Sequence, residues 1–439
     1  MGRGFGGDRV MTRSVVSSLA VSLLLGSAAP AFADDGGGAP GIRSEQEAAV
    51  QRISPRRLKE AVDFLASDEL GGRIPGSDGH RRARDYIRDR LVEIGLEPRG
   101  RDGFFQTFPE AAIRGRFQRT RDGQVVPNAD HESCNVIGLL RGSDPVLSKQ
   151  YVLYMAHYDH LGLNERGDVF NGAFDNAGGV AVGLEVARVL SREGARPRRS
   201  ILFVFSDSEE SGLSGARTWI EDPTLPREDL VMMISGDPLG RRTLPDYGAI
   251  IVSGLERSPD LLDFFRRTTG FADGTDVAFV HRDIIPIFHS DQDRFHAAGI
   301  PGMWFVNPGF SFYHQRGDDP ATIDYRILEA DARYIARSML LVGDSDRRFA
   351  YQGPPPMTAT TGRDARVVLG GLLRSPHLTD AERAKGERLL AGIDKMIEAD
   401  DPDVLPGGKA FFFEAVGFLF ELSRAHPGEI PPPWPARLF

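Results

Sequence analysis

The sequence predicts an α/β protein whose mixed, largely parallel sheet is sandwiched by helices and followed by a C-terminal helical extension. Short apolar runs, such as residues 151–156 and 201–205, alternate with helical patterns from Cys134 onward. Continuous apolar strands are typical of a sheet buried on both faces, and their alternation with helices is typical of α/β layers. Polar residues follow several of these runs directly, at the sheet edge where such folds bind ligands.

The individual elements follow from apolar periodicity and from helix-end signals. Ser54 precedes Pro55 and predicts the start of a first helix, because serine caps helices and proline fits their first position. Gly95 predicts the end of a second helix. The predicted strands are residues 134–140, 149–156, 200–206, 230–234, 249–253 and 301–306. The helices expected among them are residues 177–192, 213–221, 259–269 and 325–341.

Glycine and proline mark the boundary of a separate C-terminal part. Gly353 is followed by three prolines, which is typical of a linker. Helical patterns resume at residues 364–374 and 380–399, and the apolar stretch 411–422 is also expected to be helical. We therefore expect a signal peptide at residues 1–33, a catalytic domain at residues 44–345, a linker at residues 346–356 and a helical segment at residues 357–439.

The N-terminus has the features of a secretory signal peptide. Three arginines precede an apolar stretch at residues 15–25, and Ala31-Phe32-Ala33 provides a small-residue cleavage site. The alternative, a membrane anchor, requires a longer apolar segment than this one. We therefore expect an exported protein without stable membrane association after cleavage.

The composition narrows the class of protein further. The net charge of −9 argues against nucleic acid as a partner. Cys134 is the only cysteine, so no intrachain disulfide can form, which is unremarkable for an exported bacterial protein. Together with the signal peptide, this predicts a secreted or periplasmic bacterial protein. The sequence leaves the oligomeric state open.

Six side chains with catalytic potential lie at the predicted strand ends and turns. Histidine and carboxylate ligands without a thiolate suit catalytic rather than structural zinc. Five such ligands can hold two zinc ions, and a carboxylate beside them is left to move protons. The pattern indicates attack of water on an amide, assisted by two metals. The candidate ligands are His157, Asp175, Glu210, Asp237 and His314, and the candidate proton carrier is Glu209.

The acidic residues of this set also have ordinary structural interpretations. Asp175 lies in a glycine-bounded turn before a predicted helix, so it either caps that helix or bridges two metals. Glu209 and Glu210 either form a solvated acidic turn or lie at a buried edge, where adjacent carboxylates repel each other without a cation. Asp237 either belongs to a plain Gly-Asp-Pro turn or follows its strand as a ligand.

The histidines carry similar alternatives. His314 is flanked by aromatic residues and is either a core histidine or a ligand. His157 and Asp159 are either a surface pair or a ligand with the carboxylate that orients its imidazole. No single residue decides between these interpretations, but their joint order along the chain favours the metal site.

Several short sequences around these residues carry a family resemblance. They are Ala156-His-Tyr-Asp-His-Leu-Gly162, Asn171-Gly-Ala-Phe-Asp-Asn176, Glu209-Glu-Ser-Gly-Leu-Ser-Gly215, Asp237 and Tyr313-His314, with Gly72-Arg-Ile-Pro-Gly-Ser77, Asn135-Val-Ile-Gly138 and Ser290-Asp291 as further matches. Together they resemble the co-catalytic dizinc exopeptidases, which include secreted bacterial zinc aminopeptidases, plasma glutamate carboxypeptidase and the glutaminyl cyclases. The resemblance covers roughly residues 55–345.

The resemblance implies two Zn²⁺ per chain, peptide substrates and a role for each residue. The implied roles are His157 and Asp237 for one zinc, Glu210 and His314 for the other, Asp175 as the bridge, Glu209 as general base and acid, and Asp159 as the partner of His157. We therefore expect a zinc-dependent exopeptidase, and specifically an aminopeptidase. The alternatives are a glutaminyl cyclase-like acyltransferase with one zinc and an inactive binding protein on a peptidase fold.

The chain departs from the family pattern beside two of the implied ligands. Gly236 and Pro238 flank Asp237, where the family usually has apolar residues. Gln315 follows His314, where the family usually has threonine. These departures affect the expected shape of the substrate pocket but remove no ligand. We find no room for the protease-associated insert that many relatives carry.

Overall fold

A nine-stranded mixed sheet forms the centre of the computed structural model, which describes residues 41–267, 273, 275–285, 289–401 and 409–427. Two further strands, β3 and β4, form a small separate sheet. The strands are β1 (Glu97–Pro98), β2 (Phe105–Glu110), β3 (Phe117–Arg119), β4 (Val125–Pro127), β5 (His131–Leu140), β6 (Tyr151–His157), β7 (Ser200–Ser206), β8 (Leu230–Gly236), β9 (Ala249–Ser253), β10 (Asp276–Val280) and β11 (Gly302–Val306).

The large sheet is parallel at its centre and antiparallel toward its edges. Its order is β1-β5-β7-β6-β8-β11-β9-β10, and β2 also pairs with β5. Strands β7, β6, β8 and β11 run parallel, whereas β5 and β9 are antiparallel to their inner neighbours. The four central strands are buried along their whole length, which explains their continuous apolar sequences. Their carboxyl ends therefore lie side by side at one edge.

Helices cover the two faces of this sheet. Alternate residues of β6 point to opposite faces, so Val152 and Tyr154 belong to one buried cluster and Leu153 and Met155 to another. The helices are α1 (Ser44–Val50), α2 (Pro55–Leu65), α3 (Asp78–Ile94), α4 (Gly178–Leu190), α5 (Ser214–Glu221), α6 (Pro259–Arg266), α7 (Gln292–Ala297), α8 (Tyr325–Asp344), α9 (Ala359–Leu372), α10 (Asp380–Ala399) and α11 (Lys409–Ala425). The predicted α/β fold, with its largely parallel sheet between helices, is confirmed.

The helix-end signals act as expected. The Ser54 hydroxyl accepts a hydrogen bond from the backbone N–H of Arg57 at 3.4 Å, and Pro55 occupies the first position of α2. Gly95 ends α3 with a φ of 86°, in the left-handed region that favours glycine. Both signals are local, so the sequence alone is sufficient to read them.

Strands at the sheet periphery are harder to predict. The six predicted strands correspond to β5, β6, β7, β8, β9 and β11, with ends shifted by a few residues. The prediction misses β1, β2 and β10 as well as the β3–β4 hairpin. Strand β2 alternates buried and exposed residues and contains Pro109, so it lacks the continuous apolar run of the central strands.

The C-terminal helices α9, α10 and α11 pack onto the α/β part of the chain. Val368, Leu389 and Phe412 belong to the same buried cluster as the central strands, and so does Phe349 in the expected linker. The division into parts at residues 44–345, 346–356 and 357–439 stays a prediction. The expected signal peptide at residues 1–33 lies outside the described residues. Within the described part of the chain, no helix has the length and apolarity needed to cross a bilayer.

Candidate metal centre

The five candidate ligands converge at the carboxyl edge of the sheet. His157 is the last residue of β6, and Asp237 directly follows β8. Glu210 lies in the turn after β7, and His314 lies in the loop after β11. Asp175 lies in the turn before α4. Because the four strands are parallel neighbours, their following residues meet in one place.

Asp175 lies between the two histidines. Its Oδ1 is 3.0 Å from Nε2 of His157, and its Oδ2 is 2.9 Å from Nε2 of His314. Helix α4 is capped at Ala177 without a side-chain hydrogen bond, so Asp175 does not act as the helix cap. Its two carboxylate oxygens instead face two separate positions, as a bridging ligand requires.

The first position is bordered by His157, Asp175 and Asp237. The ligand atoms of these buried residues all lie within 4.8 Å of one another. His157 Nε2 is 3.3 Å from Oδ1 of Asp237, while the Ser290 hydroxyl donates a hydrogen bond of 2.6 Å to Oδ2 of Asp237. Asp237 is thus a buried and oriented carboxylate rather than part of a plain surface turn.

The second position is bordered by Asp175, Glu210, His314 and a residue that the sequence analysis did not select, His160. His314 Nε2 is 3.1 Å from Oε2 of Glu210, and Nδ1 of His160 is 2.8 Å from the other oxygen, Oε1. His160, Asp175 and Glu210 place their ligand atoms within 4.8 Å of one another. The His314 side chain is 36% exposed, so this position borders the open side of the site.

Asp159 organises the turn that carries the two glutamates. Its carboxylate accepts hydrogen bonds from the backbone N–H groups of Glu209, at 3.1 Å, and Glu210, at 3.3 Å. The same carboxylate lies 3.4 Å from Nδ1 of His157, whereas the Asp159 backbone oxygen is hydrogen-bonded to that nitrogen at 3.2 Å. Glu209 is buried, which excludes the solvated acidic turn. Asp159 therefore supports both His157 and the glutamate pair.

The pKa values of the two adjacent glutamates are shifted in opposite directions. Burial raises the pKa of Glu209 well above its ordinary value, and nearby Asp237 adds to the rise although His157 opposes it. Burial also raises the pKa of Glu210, but the imidazoles around it outweigh this effect and bring its pKa to about 2. Glu209 therefore holds a proton more tightly than Glu210 does, and this difference suits a proton carrier beside a metal ligand.

A buried arginine connects the loops on which these residues lie. Arg73 belongs to the Gly72–Ser77 sequence and donates hydrogen bonds to the backbone oxygens of Tyr158 at 2.8 Å, Asn171 at 2.6 Å and Gly172 at 3.0 Å. It thereby ties the loop after His157 to the turn that contains Asp175. Burial lowers the pKa of Arg73 to about 10, so it remains cationic at neutral pH.

Asp318 provides a second support for the Asp175 turn. Its carboxylate accepts hydrogen bonds from the backbone N–H groups of Phe174, at 2.8 Å, and Asp175, at 3.1 Å. No sequence pattern singles out Asp318, and none assigns a role to Arg73 or His160, although Arg73 and His160 lie within the motifs of the family resemblance. Only spatial proximity reveals their contacts with the site.

The residues present fit a pair of divalent metal ions. Two groups of histidine and carboxylate atoms lie side by side and share Asp175. Several of these buried atoms have no hydrogen-bond partner among the described residues, including Oδ2 of Asp175 and Nε2 of His314. Buried polar atoms are rarely left unpaired, and a cation satisfies such a set.

The chain is similar to known metalloproteases. Residues 135–339 match the model of Peptidase family M28. A probable zinc metalloprotease of Pyrenophora teres f. teres is 36% identical over 210 residues, which cover 44% of this chain and 43% of that protein. A probable zinc metalloprotease of Leptosphaeria maculans is 26% identical over 339 residues, which cover 68% of this chain and 74% of that protein.

Longer relatives match over a smaller share of their length. A vacuolar membrane protease of Candida dubliniensis is 26% identical over 254 residues, which cover 53% of this chain and 25% of that protein. The chain spans a quarter or less of the length of the Candida vacuolar membrane proteases it matches.

Solved structures show the same fold. The Legionella pneumophila LapA aminopeptidase superposes with a TM-score of 0.53 at 15% identity, covering 77% of this chain and 81% of that chain. The Porphyromonas gingivalis glutaminyl cyclase superposes with a TM-score of 0.50 at 23% identity, covering 65% of this chain and 97% of that chain. These likenesses agree with the observed α/β architecture.

The relatives contradict the predicted bacterial secreted or periplasmic location, and that prediction is wrong. The curated relatives named above are fungal, and those from Candida are named vacuolar membrane proteases. An arginine-flanked apolar N-terminus directs a chain into a secretory route, but it specifies neither the organism nor the final compartment. A single cysteine is equally poor evidence for a bacterial origin.

The family match includes every candidate site residue. The matched range, residues 135–339, begins before His157 and ends after His314. It also contains the four parallel strands whose ends form the metal centre. Residues 135–339 are therefore similar to peptidase family M28, in agreement with the resemblance of the sequence to co-catalytic metallopeptidases.

Proposed function

We propose that this chain is a zinc-dependent exopeptidase, specifically an aminopeptidase that uses two Zn²⁺ per chain. The observation that carries the proposal is the position of Asp175. One of its oxygens faces His157 and the other faces His314, at nearly equal distances of 3.0 and 2.9 Å. A carboxylate shared in this way is suited to two cations rather than one.

The proposed ligands follow from the two groups around Asp175. His157 and Asp237 would hold one zinc, Glu210 and His314 would hold the other, and Asp175 would bind both. Bound zinc polarises a substrate carbonyl and lowers the pKa of water. The hydrogen bonds from Ser290 to Asp237 and from the glutamate turn to Asp159 orient these ligands before a substrate arrives.

Glu209 is the proposed proton carrier. Its backbone N–H is held by Asp159, and its carboxyl group is buried beside His157 and Asp237. In this role Glu209 takes a proton from the attacking water and transfers it to the nitrogen of the leaving amine. Because Glu210 is proposed as a ligand, the adjacent glutamates divide metal binding and proton transfer between them.

Two other functions, a glutaminyl cyclase and an inactive binding protein, have less support than an aminopeptidase. The LapA aminopeptidase shares the fold, which supports the choice of an aminopeptidase. The Porphyromonas glutaminyl cyclase shares the fold to a similar degree, so cyclisation of N-terminal glutamine is the second candidate. The presence of all six predicted site residues argues against an inactive binding protein.

Metal reconstitution with a small substrate panel tests the proposal. The protein is stripped with a chelator, titrated with zinc and assayed on aminoacyl reporter substrates, on their N-acetylated counterparts and on a peptide with N-terminal glutamine. We expect activity to rise up to two zinc per chain and to require a free amino group. Full activity at one zinc, with cyclisation of the glutamine peptide, contradicts the proposal in favour of the cyclase.

A further inference from the structure

Four buried polar atoms meet at the second metal position without hydrogen-bond partners among the described residues. They are Nδ1 of His160, Oδ2 of Asp175, Oε1 of Glu210 and Nε2 of His314. The separations are 2.8 Å between the His160 and Glu210 atoms, 4.0 Å between the His160 and Asp175 atoms, and 2.9 Å between the His314 and Asp175 atoms. Four unpaired atoms in one small space have the composition of a metal site.

The first position differs in this respect. His157 is hydrogen-bonded through both ring nitrogens, to Asp159 and to Asp237. Asp237 also accepts a hydrogen bond from Ser290. The described residues therefore provide hydrogen-bond partners for His157 and Asp237 at the first position. At the second position, the four polar atoms have no such partners and are available to a ligand.

His160 does not have the contacts of an ordinary core histidine. The residue is completely buried, yet neither of its ring nitrogens has a hydrogen-bond partner within the described residues. Its Nδ1 lies within 2.8 Å of a Glu210 oxygen but without the geometry of a hydrogen bond. A structural histidine at full burial normally satisfies its nitrogens, because leaving them unpaired costs about 1–3 kcal/mol each.

The His160 ring is also fixed in place. A Cβ atom at Gly172 would lie only 2.6 Å from Cγ and Cδ2 of the ring, so the glycine backbone packs directly against the imidazole. The backbone N–H of His160 donates to the backbone oxygen of Arg73 at 3.3 Å. The ring contacts His314 edge-on, with centroids 5.8 Å apart. Its direction toward Glu210 and Asp175 is therefore set by the fold.

We infer that His160 is an additional protein ligand of the second metal ion, through Nδ1. The inference rests on the proposed two-metal function and extends it, because His160 lies outside the ligand set expected from the sequence. With His160, the second position has four protein ligands, His160, His314, Asp175 and Glu210. Four protein ligands are one more than the three typical of a catalytic zinc, so the second ion would be the more tightly held of the two. The first position keeps three, with Asp175 shared.

Replacement of His160 by alanine tests the inference through metal binding. Zinc content is measured after gel filtration, and affinity is measured by competition with a chromophoric chelator. Loss of an outer-shell partner typically lowers metal affinity 10–100-fold. We expect a larger loss for one of the two ions in His160→Ala, with the other ion retained. Cobalt substitution adds a spectroscopic test, because loss of an imidazole ligand changes the visible absorption bands.

Two further variants separate a ligand from a positioning residue. His160→Asn keeps a side-chain donor near Glu210 but removes the imidazole, so a positioning role predicts rescue and a ligand role predicts none. If His160→Ala fails to fold, the zinc affinity of His160→Asn still tests the inference. His296→Ala serves as the control, because His296 is also buried but bonds the backbone oxygen of Gly302, away from the site. We expect it to retain both zinc ions.

A double variant assigns the loss to one position. In Asp237→Asn the first position is weakened, so adding His160→Ala should remove the remaining zinc. Two zinc ions of unchanged affinity and an unchanged cobalt spectrum in His160→Ala would overturn the inference alone. A wild-type chain that binds no zinc would instead overturn the proposed function, so the two failures can be distinguished.

Discussion

The two halves of the metal centre are built in different ways. His157 and Asp237 lie at the ends of β6 and β8, and their side chains are only 1% and 8% exposed. His314 lies in a longer loop after β11, with a φ of 56° and a side chain that is 36% exposed. The strand-end half is therefore positioned by the sheet, whereas the loop half needs support from elsewhere.

That support comes from the C-terminal helix α11. The backbone N–H of Phe310 donates to the hydroxyl of Ser423 at 3.2 Å, and the hydroxyl of Ser311 donates to the backbone oxygen of Ser423. The rings of Phe310 and Phe420 lie 4.6 Å apart. The comparison shows that residues far along the chain can hold the loop of a candidate ligand, so the C-terminal segment is part of how the site is built.

The largest effect should come from the residue that joins the two halves. Asp175→Asn keeps the size of the side chain but removes the charge shared by the two ions, so we expect zinc content to fall from two toward zero. Activity should fall by more than about 10⁴-fold, beyond the loss typical of a general base. Elemental analysis and an aminoacyl reporter assay measure both quantities.

The control for this variant is another buried aspartate. Asp331 is buried on α8, where its carboxylate accepts a hydrogen bond from the Asn307 amide at 3.3 Å, and it belongs to neither group of candidate ligands. Asp331→Asn should leave the zinc content at two. If Asp175→Asn retained one tightly bound ion, the two halves would be independent and Asp175 would not bridge them.

The next effect separates chemistry from metal binding within the pair of adjacent glutamates. Glu209→Gln cannot accept a proton, so we expect kcat to fall by about 10²–10⁴-fold while two zinc ions and KM are retained. Glu210→Gln is the matched control, and it should lose metal first and regain part of its activity in excess zinc. The opposite pattern in the two variants would mean that their roles are exchanged.

A smaller effect should follow from replacing Arg73, which connects the loop after His157 to the turn that contains Asp175. Arg73→Met leaves the backbone oxygens of Tyr158 and Asn171 without their donor, whereas the Gly172 oxygen keeps its hydrogen bond from the N–H of Ala177. Unsatisfied buried groups cost about 1–3 kcal/mol each, so we expect the free energy of unfolding to fall by roughly 3 kcal/mol or more. Urea denaturation of the metal-free protein measures it.

A surface arginine provides the comparison for this variant. Arg101 pairs with Asp222 and is 52% exposed, so Arg101→Met should change the free energy of unfolding by less than about 0.5 kcal/mol. An equal decrease in the free energy of unfolding in both arginine variants would show that Arg73 does not stabilise the loops.

The smallest effect should come from the support of the loop half. Ser423→Ala removes the hydroxyl that accepts from the Phe310 N–H, at a cost of about 1–3 kcal/mol shared between folding and the position of the His314 loop. We expect zinc affinity at the second position to fall a few-fold up to about tenfold, with the first position unchanged. Chelator competition measures both affinities.

A surface ion pair on the same helix is the control. Arg388 on α10 pairs with Glu414 on α11, and both side chains are exposed, so Arg388→Ala should not affect zinc binding. If Ser423→Ala also left both affinities unchanged, α11 would be a packing element without influence on the metal centre.

The sequence was sufficient for the central strands and for the polar residues that follow them. The central strands are continuous apolar runs because both of their faces are buried, and this pattern is local. Residues that follow neighbouring parallel strands must meet, so the convergence of His157, Glu210 and Asp237 could be predicted without coordinates. Peripheral strands such as β2 lack the apolar run and escaped prediction.

Only the tertiary structure could reveal the contacts of His160, Arg73 and Ser423. His160 follows His157 closely, but its approach to Glu210 depends on how two loops fold over each other. Arg73 and Ser423 act on loops that are distant along the chain. Such contacts depend on the packing of separate elements, and no local pattern of charge or hydrophobicity encodes them. The sequence thus determined which strand-end residues gather, while packing determined how each is held and which further residues join them.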